Sequence, residues 1–199
     1  TRVMHIEECV ASLDHLFSEL LDLSRLETGA VHAAMADVRL DEVFDEVSRN
    51  FRMLAESRGL RLIVRKTGAW VHADRTMLTR ILNNLVSNAL RYTDEGGVLV
   101  GVRHQDSGQI RIDVWDTGHG IAAEHQQRVF EEFYQVSPEH TPPGEHQRGL
   151  GLGLATVRKL AELLDCRISL ASMPARGTLF SLALSAGSSS PHGQAQQAH

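Results

Sequence analysis

No apolar run in this 199-residue chain reaches the ~18 residues a helix needs to cross a bilayer, so nothing reads as a membrane span. Cysteine is scarce: Cys9 and Cys166 stand far apart, each inside an apolar pattern. They read as small buried hydrophobes in a reducing compartment, not as a bridge or a metal site. The eleven histidines show no HExxH and no other metal-type spacing. There is no basic block either. The 20 Lys and Arg are scattered among 25 Asp and Glu, giving a net charge of −5. That excludes a general nucleic-acid binder and leaves any anionic ligand to be met locally. What the chain does have is 42% hydrophobic residues, enough for one real core plus an appendage.

The chain is organised around Leu78 to Thr93, LTRILNNLVSNALRYT, which reads as one helix. Leu78, Ile81, Leu82, Leu85, Val86 and Ala89 recur at helical spacing and make its apolar face. Asn84, Asn88, Arg91 and Tyr92 form a second stripe at the edge of the core. Two carboxamides one turn apart on a half-buried edge are unusual, because Asn is a mediocre helix former and costs free energy to bury unpaired. On this helix alone, asparagines that bond neighbouring loops explain them as well as a ligand does.

Residues 3 to 27 read as a long amphipathic helix, with Ile6, Val10, Leu13, Phe17 and Leu20 as a heptad seam that Cys9, Leu16, Leu21, Leu23 and Leu26 widen. So broad a face predicts a helical bundle with a second copy; a core helix within one chain is the alternative. Gly29 reads as its stop. The pattern starts with the first residues, which implies a chain cut from something longer.

Ala36 to Leu40 is expected as a short strand, and Asp41 as the cap of a helix reaching about Ser57 with Val43, Phe44, Val47, Phe51 and Leu54 inward. Gly59 ends it. Leu60 to Arg65 and Trp70 to Ala73 read as strands, and Asp74 as the N-cap of the organising helix. Val98 to His104 and Gln109 to Trp115 form a hairpin across Asp106-Ser107-Gly108. A short helix is expected over Glu124 to Phe133, with Val129, Phe130 and Phe133 on one side, then an aperiodic connection from Val136 to Arg148. A helix over Ala155 to Leu164 and strands over Arg167 to Met173 and Gly177 to Leu184 close the domain. Ala186 to His199 has a linker composition. The alternation predicts an α+β fold: a two-layer sandwich in which helices cover one face of a mixed sheet.

Glycines at every second position in Gly149 to Gly153 let backbone N–H groups approach a phosphate chain, and the following helix points its positive end at the same place. The run is neither a dinucleotide fingerprint nor a P-loop, since it opens no early βαβ unit and no Gly-Lys-Ser/Thr follows. Asp116 ends a strand, followed by Gly118 and Gly120. A carboxylate there can accept from the exocyclic amine of adenine; alone, Asp-Thr-Gly is equally an Asx-turn. Asn88 offers a neutral oxygen suited to Mg²⁺ that keeps waters and touches phosphates. Arg91 can meet a phosphate, and Tyr92 can lie against a base.

Together these signals resemble the ATP-binding domain shared by gyrase, Hsp90, sensor histidine kinases and MutL, and within that superfamily the sensor histidine kinases. Asn84 to Thr93 looks like the N box, Asp116 to Ile121 like G1, Phe130 to Tyr134 like the F box, Gly149 to Leu154 like G2, and Gly177 to Phe180 like the last glycine box. They occur in family order over residues 36 to 185. Residues 3 to 29 resemble the second helix of the kinase dimerisation hairpin.

The resemblance implies an architecture of three parts: residues 1–29 as a partial dimerisation domain, 30–185 as a Bergerat-type catalytic domain and 186–199 as a tail. It implies ATP and Mg²⁺ as cofactors, with Asn88 on the metal assisted by Asn84, Arg91 on phosphate, Tyr92 over the base and Asp116 on adenine. Gly118, Gly120, Ile121, Phe133, Arg148, Gly149, Leu150, Gly151, Leu152, Gly153 and Thr178 complete the nucleotide site. Residues 122 to 148 would be the mobile lid.

Hydrolytic and serine-kinase members of the superfamily carry a general-base Glu one turn before the metal Asn. Here that position is Asn84, which takes no proton at neutral pH. The expected reaction is therefore transfer to a histidine, whose neutral imidazole needs less help. None of the eleven histidines fits the family's acceptor motif, so the acceptor helix is expected upstream of Thr1. Implied partners are a homodimer mate through the N-terminal helix, the acceptor helix and a response-regulator receiver domain, in a cytoplasmic setting with an anchor further upstream. The competing readings are a degenerate nucleotide-binding scaffold and a serine kinase of the anti-sigma type.

Overall fold

The computed structural model of the chain describes residues 20, 21, 24, 26, 31–105, 108–136 and 151–188. In order these form β1 (Ala36–Arg39), α1 (Leu40–Ser57), β2 (Arg61–Val64), β3 (Trp70–Ala73), α2 (Arg75–Arg91), β4 (Gly97–His104), β5 (Gln109–Asp116), α3 (Gly153–Leu163), β6 (Arg167–Met173) and β7 (Gly177–Ser185). Five strands make one mixed sheet in the order β2-β4-β5-β7-β6, and β1 and β3 pair separately. β2 runs parallel to β4; the other neighbours are antiparallel. The helices cover one face, and the expected two-layer sandwich is what forms.

Strand alternation decides which face they cover. Val98, Val100, Ile110, Ile112, Val114 and Leu182 turn inward to a single apolar cluster with the helices. Ile63 and Trp115, on the other face, stay 47% and 43% exposed. Under the helices, Leu78, Ile81, Leu82 and Leu85 of α2 are wholly buried, so the expected apolar stripe is the centre of the core. Asp74 caps α2: one carboxylate oxygen accepts from Met77 N at 3.0 Å and the other from Ala34 N at 2.8 Å. At the far end Thr93 is buried and its hydroxyl donates to the Ala89 carbonyl at 2.7 Å.

Three local expectations are corrected. Leu40 begins α1 and is no part of a strand; Asp41 does not cap that helix, since Arg39 holds the cap position without a side-chain bond. The Asp41 carboxylate is instead buried and accepts from Thr67 N at 2.9 Å and Gly68 N at 3.2 Å, fastening the turn that leads into β3. Leu54 is 44% exposed, and its neighbour Ala55 takes the inward position.

The helix expected over Glu124 to Phe133 does not form; turns and one 3₁₀ turn at Arg128–Phe130 take its place. Only Val129 and Phe130 reach the core side, Phe130 edge-on against Phe180 at 6.1 Å. Phe133 has φ of +61° and is 56% exposed, so the chain leaves helical geometry just where a third anchor was expected. Side chains fasten the turns: Gln126 Nε2 donates to the carbonyls of Ile121 and Ser172, both at 2.9 Å. Tyr134 is held by His125, Nδ1 to hydroxyl 2.6 Å, under the Arg128 guanidinium.

Of the expected N-terminal helix, Leu20, Leu21, Ser24 and Leu26 are helical, and Leu26 joins the core. The rest of that element, with Cys9, lies outside the described residues. Cys166 is half-buried, and desolvation pushes its thiol up to about 11, which suits a packed hydrophobe. Ala186 to Ser188, assigned by composition to the tail, continue the fold: Ala186 bridges Val71 and Gly187 N donates to the Trp70 carbonyl at 2.8 Å. Among the described residues no helix is long and apolar enough to cross a membrane.

The two backbone N–H groups hold the Asp41 carboxyl below its ordinary value despite burial. A lowered folded pKa contributes stability above the unfolded value of about 3.9, lost as pH falls through the folded one. Asp41→Ala is therefore expected to cost roughly 1–3 kcal/mol in urea melts at pH 7, and the deficit to shrink as pH drops below about 4.

Candidate functional site

The C-terminal half of α2, the loop after β5 and the start of α3 enclose a cavity of about 520 Å³. From α2 it receives Asn84, Asn88, Arg91 and Tyr92, which the helical repeat keeps on one face beside the buried stripe. The loop after β5 supplies Asp116, Gly120 and Ile121, β7 supplies Thr178, and the second glycine run supplies Gly151, Leu152 and Gly153. Four separate segments named from sequence thus meet in one hollow.

Asp116 is its buried anchor. Oδ1 accepts from Gly118 N at 2.8 Å and from Thr178 N at 3.2 Å, while Oδ2 carries no hydrogen bond among the described residues. Burial pushes the carboxyl above its ordinary value, and the two N–H groups pull the other way. The carboxylate is fixed in direction by one oxygen and keeps the other for a donor that enters the cavity. Gly120, with φ of +71°, admits no side chain: a Cβ would stand 2.0 Å from the Met173 carbonyl oxygen.

The other wall is made of neutral and positive groups. The Asn88 carboxamide makes no hydrogen bond, and Arg91 forms no ion pair, among the described residues. Asn84 donates to the Arg80 carbonyl at 3.0 Å, which turns its Oδ1 toward α3: a Cβ on Gly153 would lie 3.0 Å from that oxygen. α3 starts at Gly153 with no side-chain cap, and its N-terminus stands beside both carboxamides. Such an arrangement suits a polyanion. No group of three His, Cys, Asp or Glu capable of holding a metal occurs among the described residues. A divalent cation here would rest on carboxamide oxygen, bound phosphates and water, the donor set Mg²⁺ accepts.

Two expected residues stand apart. Gly118 lies behind Asp116 and bonds it without lining the cavity, and Phe133 faces solvent and does not line it. Arg148, Gly149 and Leu150 lie outside the described residues, as does the lid from 137 onward. The site has further members. Ser172 Oγ accepts from Ile121 N at 2.8 Å, donates to the Gly177 carbonyl at 3.0 Å and meets Thr178 Oγ1 at 2.9 Å. A serine in an alternating strand carries no local sign of that. Arg80, Asn83, Phe51 and His119 also line the cavity; Arg80 stands four residues before Asn84, a spacing that could have marked it. His119 was expected to be solvent-exposed at the lid base, and its ring, still largely exposed, pairs with Asp94 at 2.6 Å.

A hollow of nucleotide size with one directed carboxylate, two carboxamides of which only Asn84 is bonded among the described residues, and a helix start without a side-chain cap, on a mixed sheet covered by helices, defines a Bergerat-type nucleotide-binding domain. Residues 73–188 match the family of histidine kinase-, DNA gyrase B- and HSP90-like ATPases, and the chain belongs to it. It is 29% identical over 190 residues to the aerobic respiration control sensor protein ArcB of Escherichia coli K12, covering 94% of this chain and 24% of ArcB. The sensor-like histidine kinase SenX3 of Mycobacterium tuberculosis is 34% identical over 175 residues, 87% of this chain and 42% of SenX3. The crystal structure of full-length ShkA in complex with AMPPNP superposes with a TM-score of 0.81 at 27% identity, over 94% of this chain and 39% of that one. Within the family the chain is homologous to the catalytic domains of sensor histidine kinases, and it spans less than half the length of these relatives.

A carboxyl raised by burial favours the fold in its neutral form, fully below the unfolded value, and that contribution is lost as pH rises through the folded pKa. Asp116→Asn keeps an Oδ1 acceptor for both N–H groups. Its melting temperature is expected to equal or exceed that of the parent chain, by a wider margin at pH 7 than at pH 5, in calorimetry without nucleotide.

Proposed function

We propose that this chain is the catalytic part of a sensor histidine kinase that holds Mg-ATP and presents its γ-phosphate to a histidine on a dimerisation helix, for relay to a response-regulator aspartate. The observation that carries the reading is the free Oδ2 of Asp116, in the same cavity as Asn88 and the uncapped start of α3. In this reading Oδ2 accepts from the exocyclic amine of adenine, and Tyr92, half exposed at the cavity edge, covers the base. Asn88 holds Mg²⁺ with help from Asn84, and Arg91 meets the phosphates. Thr178 and Ile121 shape the base end, Gly151 to Gly153 with Arg148, Gly149 and Leu150 wrap the phosphates, and residues 122 to 148 close over them. The ion would neutralise phosphate charge; the chain's own residues bind, orient and exclude water.

Among the described lining residues Asp116 is the sole carboxylate, and it sits at the base end. Asn84, one turn before Asn88, takes no proton at neutral pH, and this supports positioning for an incoming nucleophile over hydrolysis. The same feature weighs against a serine kinase of the anti-sigma type. We assign the N-terminal helix to homodimer formation, and the setting to the cytoplasmic side of a cell with a separate or fused receiver domain as partner.

Titration calorimetry with a non-hydrolysable ATP analogue and Mg²⁺ is expected to show binding that Asn88→Ala and Asp116→Asn each weaken by at least about 100-fold, with unchanged circular dichroism. Radiolabelled ATP is expected to mark a supplied acceptor helix and to leave the chain alone unlabelled. Binding without transfer would favour the scaffold reading; label on a histidine of the isolated chain would overturn the assignment of the acceptor.

A further inference from the structure

We infer that Arg80 reads the terminal phosphate of the bound nucleotide and so makes this site prefer a triphosphate to a diphosphate. The inference rests on the nucleotide reading above and deepens it. Direction along α2 carries it. The base end of the cavity lies at the C-terminus of that helix, where His119 N donates to the Tyr92 carbonyl at 3.1 Å and ties the Asp116 loop there. The uncapped start of α3 lies further back, against Asn84 and Asn88. A nucleotide anchored at Asp116 therefore extends its phosphates toward the N-terminus of α2.

Past Asn84 in that direction, the next cavity-lining position on the same face is Arg80, one turn and about 6 Å further along the axis. Asn84 grips its backbone, with Nδ2 to the Arg80 carbonyl at 3.0 Å. Asn83 and Phe51 line the same cavity. A guanidinium there meets the extra charge and oxygens that a third phosphate brings, with a fork that fits them in pairs. A diphosphate stops short of it. Arg91, nearer the base end, meets phosphates that both nucleotides share. Together the two arginines divide the work: one holds any nucleotide, the other distinguishes fuel from product.

The test is calorimetry of the whole chain with ADP and with a non-hydrolysable ATP analogue, in Mg²⁺, for the parent, Arg80→Gln and Arg80→Lys. Arg80→Gln is expected to weaken the triphosphate about tenfold and the diphosphate by less than about twofold, and Arg80→Lys to restore part of the preference. Equal loss of both nucleotides, or an unchanged ratio with slower transfer to a supplied acceptor helix, would overturn the inference while leaving the nucleotide site standing. A parent chain that binds neither nucleotide would overturn the underlying reading, and this one with it.

Discussion

A carboxylate held by one oxygen is the constraint on which the site depends. Asp116 closes a central strand, and its Oδ1 gathers N–H groups from two different segments, Gly118 in its own loop and Thr178 on β7. Removing that charge from water is unfavourable, and the two donors offset part of the cost. In return the position of Oδ2 is fixed by the register of β5 against β7, where Asp116 lies opposite Thr178. Ser172 extends the arrangement from β6, through Thr178 and Gly177 to the backbone of Ile121. The base end of the cavity is thus built from the ends of three adjacent strands.

The opposite wall depends on a helix doing two things at once. The wholly buried leucines and isoleucine of α2 secure it in the core, and that burial leaves the neighbouring stripe free to carry groups that contribute little to the fold. An asparagine without a hydrogen bond among the described residues, such as Asn88, is tolerated there because it stands at the edge of the core and not within it. Stability comes from one stripe, recognition from the next, and the helical repeat keeps them in register.

The sequence reveals these parts unequally. Strand alternation and the helix period are local, so α2, the β4–β5 hairpin and the two last strands were legible to within a residue or two. Asp74 was legible as a cap because the apolar repeat follows at once. Asp41 was not: the same residue type, equally well placed before an apolar repeat, is claimed by Thr67 and Gly68 across 26 and 27 positions of chain. Phe133 failed for a related reason. An apolar residue at helical spacing says helix only when the core reaches it, and here the turns fixed by Gln126 and Tyr134 leave it outside. In the site, the stripe of α2, Asp116 and Gly151 to Gly153 line one cavity, Gly118 and Phe133 do not, and Ser172 works by long-range contact alone without a local sign in the sequence.

The small β1–β3 sheet has a mechanical meaning. β3 pairs with incoming β1 on one side, and on the other Trp70 and Val71 take the chain that leaves β7, while the Ser188 hydroxyl reaches back to Asp37 on β1. Tension applied between the segments before Ala36 and after Ser188 would be borne by this corner as shear between neighbouring strands. The load path bypasses the hollow beneath α2, so pulling on the flanks need not distort what the hollow holds.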